Sequence, residues 1–375
     1  MQLFSDKLLF TPGPLSTSKT VKAAMLRDLG SRDTEFISRI SYIREKLLET
    51  AGVSKEGGYE AVIIQGSGTF GIESVISSVI PRDGHLLVLI NGAYGERISG
   101  IAAVHGIPQT RLVYAENEIT GTAPLRAQLE KNAAITHVAV IHCETTTGII
   151  NPIEEIGKLC AAYGKTFIVD AMSSFGAYPV DMPEARIDFL ISSSNKCIEG
   201  VPGFSFVIAR RDSLELAEGR ARTLSLDLYA QWKGLETDGQ FRFTPPVQVL
   251  LAFARALHEL EAEGGVKGRA ARYARNNEVL LKGMQELGFR VYLDPEHRGY
   301  IITSFYYPDH PDFNFRDFYG ALSQRGFVIY PGKLGKTDCF RIGNIGHITE
   351  TDIRELLRAV RDLVSGYAIT GKTNE

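Results

Sequence analysis

Seven short apolar runs, separated by stretches with helical spacing, constrain the fold of this chain more than any other feature. The runs are predicted strands at 60–65, 85–90, 111–115, 137–143, 166–171, 189–194 and 204–210. Most are continuously apolar, which is typical of strands covered on both faces. Between them lie predicted helices such as 71–80 and 152–165, and the second opens with Pro152 at the first helical position. This alternation predicts an α/β domain with a largely parallel sheet.

The apolar pattern changes near residue 245, where longer helical stretches replace the alternation. Helices are predicted up to Gly264–Gly265, over 269–289 and over 349–364, and strands within 299–307, 326–330 and 339–343. This order predicts a smaller α+β domain, against which the first dozen residues pack. We therefore expect a large domain over 15–260 and a small domain over 261–375 together with 1–14. The last residues, 370–375, are predicted to be frayed.

Composition and charge argue against several classes of function. The chain has 375 residues, 44% of them hydrophobic, and a formal net charge of −3 without a basic stripe, so we expect no nucleic-acid partner. It has no run of about 18 apolar residues that would predict a membrane span, and its N-terminus lacks the pattern of a secretory signal. The cysteines form no C-x-x-C pair, so we expect a reduced, cytoplasmic protein without a metal site. They are Cys143, Cys160, Cys197 and Cys339.

The stretch "QGSGTFG" (65–71) has glycines spaced as G-x-G-x-x-G after a predicted strand. A dinucleotide-binding turn of this form needs an acid at the end of the next strand, to hold the ribose. Here that strand is followed by "NGAY" (91–94), which contains no acid. Ser67 and Thr69 add hydroxyls to the backbone N–H groups of a helix N-terminus, which suits a single phosphate. The glycines could equally serve a tight strand-to-helix turn without a ligand.

Two later residues favour the phosphate interpretation. Asp170 ends an apolar strand, where a buried carboxylate is costly without a partner, and Lys196 follows another such strand. Singly, each has an ordinary explanation, a helix cap for Asp170 and a solvated loop residue for Lys196. Together they lie at the carboxyl ends of parallel strands, where ligands of such sheets bind. A lysine, a carboxylate and a phosphate loop are what pyridoxal phosphate requires.

The chain resembles the fold-type-I, class V aminotransferases nearly from end to end. The resemblance implies a pyridoxal 5′-phosphate-dependent transferase: a large domain with a mostly parallel seven-stranded sheet covered by helices, a smaller α+β C-terminal domain, and a homodimer with shared active sites. The motifs that carry it are "LLFTPGPL", "QGSGTFGIESVISSVI", "NGAYGERI", "HCETTTGIINPI", "VDAMSSFGAYPVD", "SSSNKCIEGVPGFSFVIAR", "RFTPPVQVLLAF" and "CFRIGNIG".

This resemblance implies a catalytic role for Lys196, which would hold the cofactor as a Schiff base and later move a proton. Asp170 would pair with the cofactor's ring nitrogen. Tyr94 would stack on the ring, although core packing is its ordinary alternative. Thr145 would lie beside the ring hydroxyl, or it could simply end a strand.

The resemblance also implies how the cofactor phosphate is held. The groups concerned are Ser67, Gly68, Thr69 and Asn195, with Thr244 contributed by the partner subunit. Some relatives have a tyrosine shortly before this threonine, and Phe241 stands in its place here. Because phenylalanine donates no hydrogen bond, the grip across the dimer would be weaker unless Arg242 compensates.

For the substrates, the resemblance implies transfer of an amino group from 2-aminoethylphosphonate to pyruvate in two half-reactions. Arg341 matches the arginine that binds the substrate carboxylate, as a planar guanidinium does with two hydrogen bonds. A surface role is the alternative for Arg341. Arg32 is a second candidate for binding an anion, and an ion pair with Asp33 or Glu35 is its alternative.

Other functions remain open at this point. A serine- or alanine–glyoxylate aminotransferase would use the same cofactor residues. A pyridoxal-phosphate lyase or cysteine desulfurase would need a reactive cysteine on a flexible loop, whereas Cys339 lies in a predicted apolar strand. A nicotinamide-dependent dehydrogenase would leave the pair of Asp170 and Lys196 unexplained.

Overall fold

The computed structural model describes residues 6–334 and 337–365. Its strands are β1 (Leu8–Leu9), β2 (Tyr59–Gln65), β3 (Leu86–Ile90), β4 (Gln109–Val113), β5 (His137–Ile141), β6 (Cys143–Glu144), β7 (Ile149–Ile150), β8 (Thr166–Asp170), β9 (Phe189–Ser193), β10 (Phe204–Arg210), β11 (Ile302–Tyr306), β12 (Phe327–Val328), β13 (Tyr330–Leu334) and β14 (Thr337–Gly343).

The α-helices lie between and after these strands. They are α1 (Lys19–Ala23), α2 (Thr34–Thr50), α3 (Gly68–Val79), α4 (Ala93–Val104), α5 (Thr122–Lys131), α6 (Ile153–Ala162), α7 (Arg211–Glu215), α8 (Leu228–Thr237), α9 (Val247–Ala262), α10 (Gly265–Glu286), α11 (Phe315–Gln324) and α12 (Glu350–Val364). Two short 3₁₀ turns span Ala24–Leu26 and Pro295–His297. None of the described helices is both long enough and apolar enough to cross a membrane.

The central sheet has seven strands in the order β2-β10-β9-β8-β5-β3-β4. Only β10 runs antiparallel to its neighbours, so the carboxyl ends of the other six strands meet at one edge. The seven strands predicted from the apolar runs are these seven, and the α/β class with a mostly parallel sheet is confirmed. The predicted segment 111–115 begins two residues too late, because the edge strand β4 starts at Gln109.

Burial follows position in the sheet. β3, β5 and β9 are buried throughout, as their continuous apolar runs predict. β4 has one neighbouring strand, and its Val113 side chain is 59% exposed. Two predicted helix starts differ by a few residues. α3 begins at Gly68 rather than 71, because the glycine stretch forms its first turn, and Pro152 caps α6 instead of occupying its first turn.

The C-terminal part has a smaller antiparallel sheet in the order β11-β14-β13, flanked by α10, α11 and α12. Its apolar side chains form a cluster separate from the one around the central sheet. Part of the N-terminal segment packs here: β1 pairs with β12, and Phe10 is fully buried in this second cluster. Of the first dozen residues expected to pack here, residues 1–5 lie outside the described residues. The predicted domain boundaries stay a proposal, and residues 370–375 lie outside the described residues.

Candidate active site

A cavity of about 170 Å³ opens at the edge where the carboxyl ends of the parallel strands meet. Residues that follow β2, β3, β5, β8 and β9 line it, which is the location expected for a ligand of a doubly wound sheet. Eight residues singled out from the sequence lie together here. They are Ser67, Gly68, Thr69, Tyr94, Thr145, Asp170, Asn195 and Lys196.

Asp170 is the last residue of β8, and only 5% of it is exposed. Its carboxylate accepts a hydrogen bond from the Met172 backbone N–H at 2.8 Å. Burial raises the pKa of Asp170 to about 7, and the nearby Glu144 adds to this effect. Within the described ranges Asp170 has no ion pair, so a cationic ligand atom is the partner that this carboxylate lacks.

Lys196 lies three residues beyond the end of β9 and is half-buried. Its Nζ donates a hydrogen bond to the Pro12 carbonyl at 2.5 Å. Burial lowers the pKa of Lys196, and the positive charge of Arg97 acts in the same direction. Gly13 has a φ of +118°, in the region that favours glycine, and a Cβ there would lie 2.8 Å from Nζ, so another residue at this position would be strained and would displace the end of the lysine side chain.

The first turn of α3, which directly follows β2, lines one end of the cavity. Ser67 precedes the helix in an extended conformation, and its hydroxyl makes no capping hydrogen bond, so it can bind a ligand. A Cβ at Gly68 would overlap the sulfur of Met172. The backbone N–H groups of this first turn attract anions, because they have no partner inside the helix. This end of the cavity therefore suits a phosphate.

Two groups at this site were missed from the sequence: Arg97, which lines the cavity, and Glu144, which contacts the lining residue Tyr94 but does not itself line the cavity. Arg97 lies one helical turn after Tyr94, with its guanidinium 4.7 Å from the Tyr94 ring centroid, and it donates to Thr69 Oγ1 at 3.3 Å. The spacing of three in "YGER" could have indicated it. Glu144 is fully buried and accepts hydrogen bonds from the Tyr94 N–H at 3.2 Å and the Thr146 N–H at 3.0 Å. No spacing in the sequence indicated Glu144.

Arg341 lies in β14 and does not line the cavity, but it is hydrogen-bonded to Thr145, which does. Its Nη1 donates to the Thr145 carbonyl at 2.9 Å, its Nη2 donates to the Pro331 carbonyl at 3.0 Å, and its guanidinium stacks 4.7 Å from the Tyr330 ring centroid. Its Nε is buried and has no hydrogen-bond partner in the described part of the chain. The neighbours Phe340 and Ile342 are fully buried, as the strand-like alternation predicts.

Thr244 and Arg32 do not line this cavity. They lie together at a second, surface cavity of about 590 Å³, next to Phe241 and Arg242. The predicted alternative for Arg32, an ion pair with Asp33 or Glu35, is not seen within the described ranges. Asp33 caps α2 instead, and Glu35 pairs with Arg27 at 3.0 Å. Arg242 donates to the Leu224 carbonyl at 2.9 Å.

The cysteines do not support a desulfurase. All four are buried, and burial raises the pKa of Cys197 to about 12, so its thiol stays protonated at neutral pH. Residues 6–334 and 337–365 also contain no cluster of three or more His, Cys, Asp or Glu side chains that could hold a metal ion.

Comparison with known proteins gives consistent results. Residues 16–335 match the family described as aminotransferase class-V. A 2-aminoethylphosphonate–pyruvate transaminase from Syntrophobacter fumaroxidans is 51% identical over 363 residues, which cover 96% of this chain and 97% of that protein. One of the same name from Lysinibacillus sphaericus is 48% identical and covers 99% of this chain and 100% of its own length. The crystal structure of a ureidoglycine–glyoxylate aminotransferase from Bacillus subtilis has a TM-score of 0.89 and 22% identity, covering 99% of this chain and 97% of its own.

These matches imply pyridoxal phosphate as the cofactor. The cavity fits this group. A helix N-terminus with an unused serine hydroxyl suits its phosphate, and an unpaired carboxylate with a raised pKa suits a protonated ring nitrogen. A lysine with a lowered pKa suits its aldehyde, because only a neutral amine can attack a carbonyl.

Proposed function

The chain belongs to the class V aminotransferase family, and we propose that it transfers the amino group of 2-aminoethylphosphonate to pyruvate. The products are phosphonoacetaldehyde and L-alanine, and the reaction is a step of phosphonate catabolism. The observation that carries the proposal is the similarity to transaminases of this name, at about half of all positions and over nearly the whole chain.

When bound, pyridoxal phosphate supplies an electron sink that lets a C–H bond beside the substrate nitrogen break. We assign the proton transfer to Lys196 Nζ, which would also hold the aldehyde carbon of the cofactor. The surroundings that lower the pKa of Lys196 favour the neutral form of its amine, which is the form that can accept the proton from the donor carbon. Asp170 would hold the proton on the cofactor's ring nitrogen.

The remaining lining residues orient and enclose the cofactor. Ser67, Gly68 and Thr69 would bind its phosphate at the start of α3, with Asn195 as a polar neighbour. Tyr94 would cover one face of the ring. The support for this is that its own ring is held by the guanidinium of Arg97 and that its backbone N–H is held by Glu144.

The hydroxyl of Thr145 would lie beside the ring hydroxyl of the cofactor. This residue is 1% exposed and lines the cavity, and its carbonyl accepts a hydrogen bond from Arg341. The bond ties the predicted substrate arginine to the predicted cofactor site.

The two substrates present different anions to one pocket. The donor carries a phosphonate, whereas pyruvate carries a carboxylate. We propose that Arg341 binds both, with Arg32 as a second candidate. The unpartnered Nε of Arg341 supports this role, because a bound anion would satisfy a donor that is otherwise buried without a partner.

We further propose a cytoplasmic homodimer in which Thr244 reaches the phosphate of the partner's site. Phe243, next to Thr244, is 44% exposed, and Arg242 is bonded to the carbonyl of Leu224, whose side chain is 75% exposed. Gln65, at the end of β2, donates to the Phe243 carbonyl at 2.9 Å, which fixes the Thr244 segment beside the start of α3. Exposed apolar side chains of this size are typical of surfaces that bind another chain.

The first experiment is the visible absorption spectrum of the purified protein, before and after 2-aminoethylphosphonate is added without pyruvate. We expect the yellow band of the lysine-bound cofactor to convert to that of the aminated cofactor. Lys196→Ala should abolish both the band and the conversion, whereas the exposed Lys282→Ala is the matched control and should keep them. A band that responds to serine or alanine instead would indicate a serine- or alanine–glyoxylate aminotransferase. A colourless protein that pyridoxal phosphate cannot reconstitute would contradict the proposal.

A further inference from the structure

A cluster of buried charges lies behind the turn that carries Lys196. Glu199 is 4% exposed, and its Oε1 accepts hydrogen bonds from Tyr273 Oη at 2.5 Å and from Arg272 Nη2 at 2.6 Å. Arg269 is 1% exposed, and its Nη1 is 3.4 Å from the same oxygen. We call these four residues the Glu199 cluster. None of them lines the cavity of Asp170 and Lys196.

The cluster holds the backbone of the lysine turn directly. Glu199 donates its backbone N–H to the Lys196 carbonyl at 2.7 Å, and Arg269 Nη1 donates to the Cys197 carbonyl at 2.5 Å. Glu199 also has a φ of +66°, in the left-handed region that side chains other than glycine seldom adopt. Such a conformation persists only where the surroundings enforce it. Here two hydrogen bonds and the ion pair with Arg269 hold the Glu199 carboxylate in place.

The same cluster contacts the segment that follows β14. Arg272 Nη1 donates to the Gly346 carbonyl at 2.7 Å and to the Ile348 carbonyl at 3.1 Å, and Tyr273 Oη accepts from the Gly346 N–H at 3.0 Å. Because Arg341 lies in β14, the cluster joins the turn of the predicted catalytic lysine to the strand of the predicted substrate arginine.

Charges within this group are closely matched. Glu263 accepts from Arg269 Nε and from Arg272 Nε, each at 2.7 Å, so two carboxylates face two guanidiniums. Removing the whole side chain of Glu199 leaves Arg272 and Tyr273 without the oxygen that accepts their hydrogen bonds. The expected consequence is a shift of the backbone to which the arginines are bonded.

We propose that Glu199 is a positioning residue, whose carboxylate fixes the turn after Lys196 and thereby sets where the lysine amine lies. Glu199 acts through this turn and touches neither substrate nor cofactor. The inference rests on the proposed catalytic role of Lys196.

The test compares Glu199→Ala, Glu199→Gln and Tyr273→Phe with wild type. The glutamine keeps an oxygen that can accept from Tyr273 and Arg272, so kcat should stay within about threefold of wild type. The alanine has no acceptor, and kcat should fall about tenfold or more with a smaller change in KM, because a misplaced catalytic group slows the chemical step. Tyr273→Phe removes a single hydroxyl without leaving a cavity and should show a weaker effect of the same kind.

Two readouts separate positioning from general stability, and neither uses turnover. One is the pH midpoint of the absorption band of the lysine-bound cofactor without substrate. The other is the acetylation rate of Lys196 in the cofactor-free protein, measured by mass spectrometry. Both should change in Glu199→Ala and in Tyr273→Phe. The control is Arg275→Ala. Arg275 lies on α10, the helix that also carries Arg272, and forms an exposed ion pair with Glu350 of α12, so its loss should change neither readout.

The proposal is overturned if the folded Glu199→Ala and Tyr273→Phe proteins keep the wild-type kcat, midpoint and acetylation rate, even with lower thermal stability. If Glu199→Ala does not fold, Tyr273→Phe alone decides in the same way. Failure of the proposed function is distinguishable, because wild type itself would then not respond to 2-aminoethylphosphonate, while the acetylation rate of Lys196 would still report on its position, with or without a bound cofactor.

Discussion

The raised pKa of Asp170 gives a prediction that can be made quantitative in the cofactor-free protein. Asp170→Asn should become more stable relative to wild type as the pH rises from 5.0 to 7.5. The amide oxygen can still accept the N–H of Met172, so the main change is the loss of a buried ionisable group. The same variant should lose amino transfer, because a neutral amide holds the charged ring nitrogen of the cofactor poorly.

The sign follows from where the proton is bound. Unfolded Asp170 loses its proton near its ordinary pKa of 3.8, whereas the folded carboxyl keeps it up to about pH 7. Between these values the folded state binds more protons than the unfolded state, so wild-type stability falls as the pH rises. Above both pKa values the loss in the free energy of unfolding no longer changes with pH. At about 1.4 kcal/mol for each pH unit between them, the complete loss is about 4 kcal/mol. About 2.5 kcal/mol of it falls between pH 5.0 and 7.5.

The assay is urea unfolding at the two pH values, followed by fluorescence. The single tryptophan, Trp232, is 5% exposed in α8 and reports the loss of packing. Asp33→Asn removes an exposed carboxylate that caps α2 and controls for the change of net charge by one. If the stability difference between Asp170→Asn and wild type is the same at pH 5.0 and 7.5, the folded carboxyl does not retain its proton. Burial then does not raise the pKa of Asp170, and the reasoning is refuted.

Gly13→Ala should lower both stability and cofactor affinity, since the positive φ and the approach to Lys196 Nζ together cost about 2–4 kcal/mol. Gly264→Ala is the control, because Gly264 has a φ of +98° but a Cβ there would meet no atom closer than 3.8 Å. Urea unfolding should show a smaller loss of stability in this variant, and cofactor titration should show no loss of affinity. Equal cofactor affinity in both variants would contradict the close fit over the lysine. Arg97→Met should raise the pKa of Lys196 and move the acid limb of the kcat–pH profile to higher pH, because a neighbouring positive charge is removed. Arg97→Lys should leave that limb in place, and a profile of Arg97→Met that superimposes on wild type would refute the electrostatic role.

Much of the fold could be predicted from the sequence, because a buried parallel strand is a continuous apolar run bounded by turns. All seven strands of the central sheet were located in this way. The reversed direction of β10 was not predicted, since apolar periodicity is the same in both directions. The start of β4 was missed because "QT" is polar, and an edge strand can accept polar residues on its open side.

The site was predictable only where a residue directly follows a strand. Asp170 and Lys196 could be placed at one edge by topology alone, and the structure brings them to one cavity. Glu144 and the Glu199 cluster could not be found, because the contacts that place them at the site join distant parts of the chain: Glu144 and Tyr94 are 50 residues apart, and Glu199 and Tyr273 are 74 residues apart. No local pattern encodes such contacts.

The glycine stretch 65–71 shows why a motif alone was insufficient. Each glycine has a packing reason: Gly66 has a φ of +110°, and a Cβ at Gly71 would lie 2.7 Å from the hydroxyl of Ser205. A tight turn would therefore need the same glycines whether it bound a dinucleotide, a phosphate or nothing.

A dinucleotide-binding turn would need an acid at the end of β3, and Asn91 stands at that position. It is 2% exposed, and its amide is bonded to Asn151 Oδ1 at 2.9 Å and to the Glu118 carbonyl at 3.0 Å. Both N–H groups of this amide are therefore used in the packing, and the side chain carries no charge to hold a ribose as a carboxylate would. What distinguishes the ligands is therefore the chemistry of the neighbouring strand ends. A carboxylate without a cation and a lysine with a lowered pKa, both beside a helix N-terminus, suit a phosphorylated aldehyde with a basic ring nitrogen better than a nicotinamide.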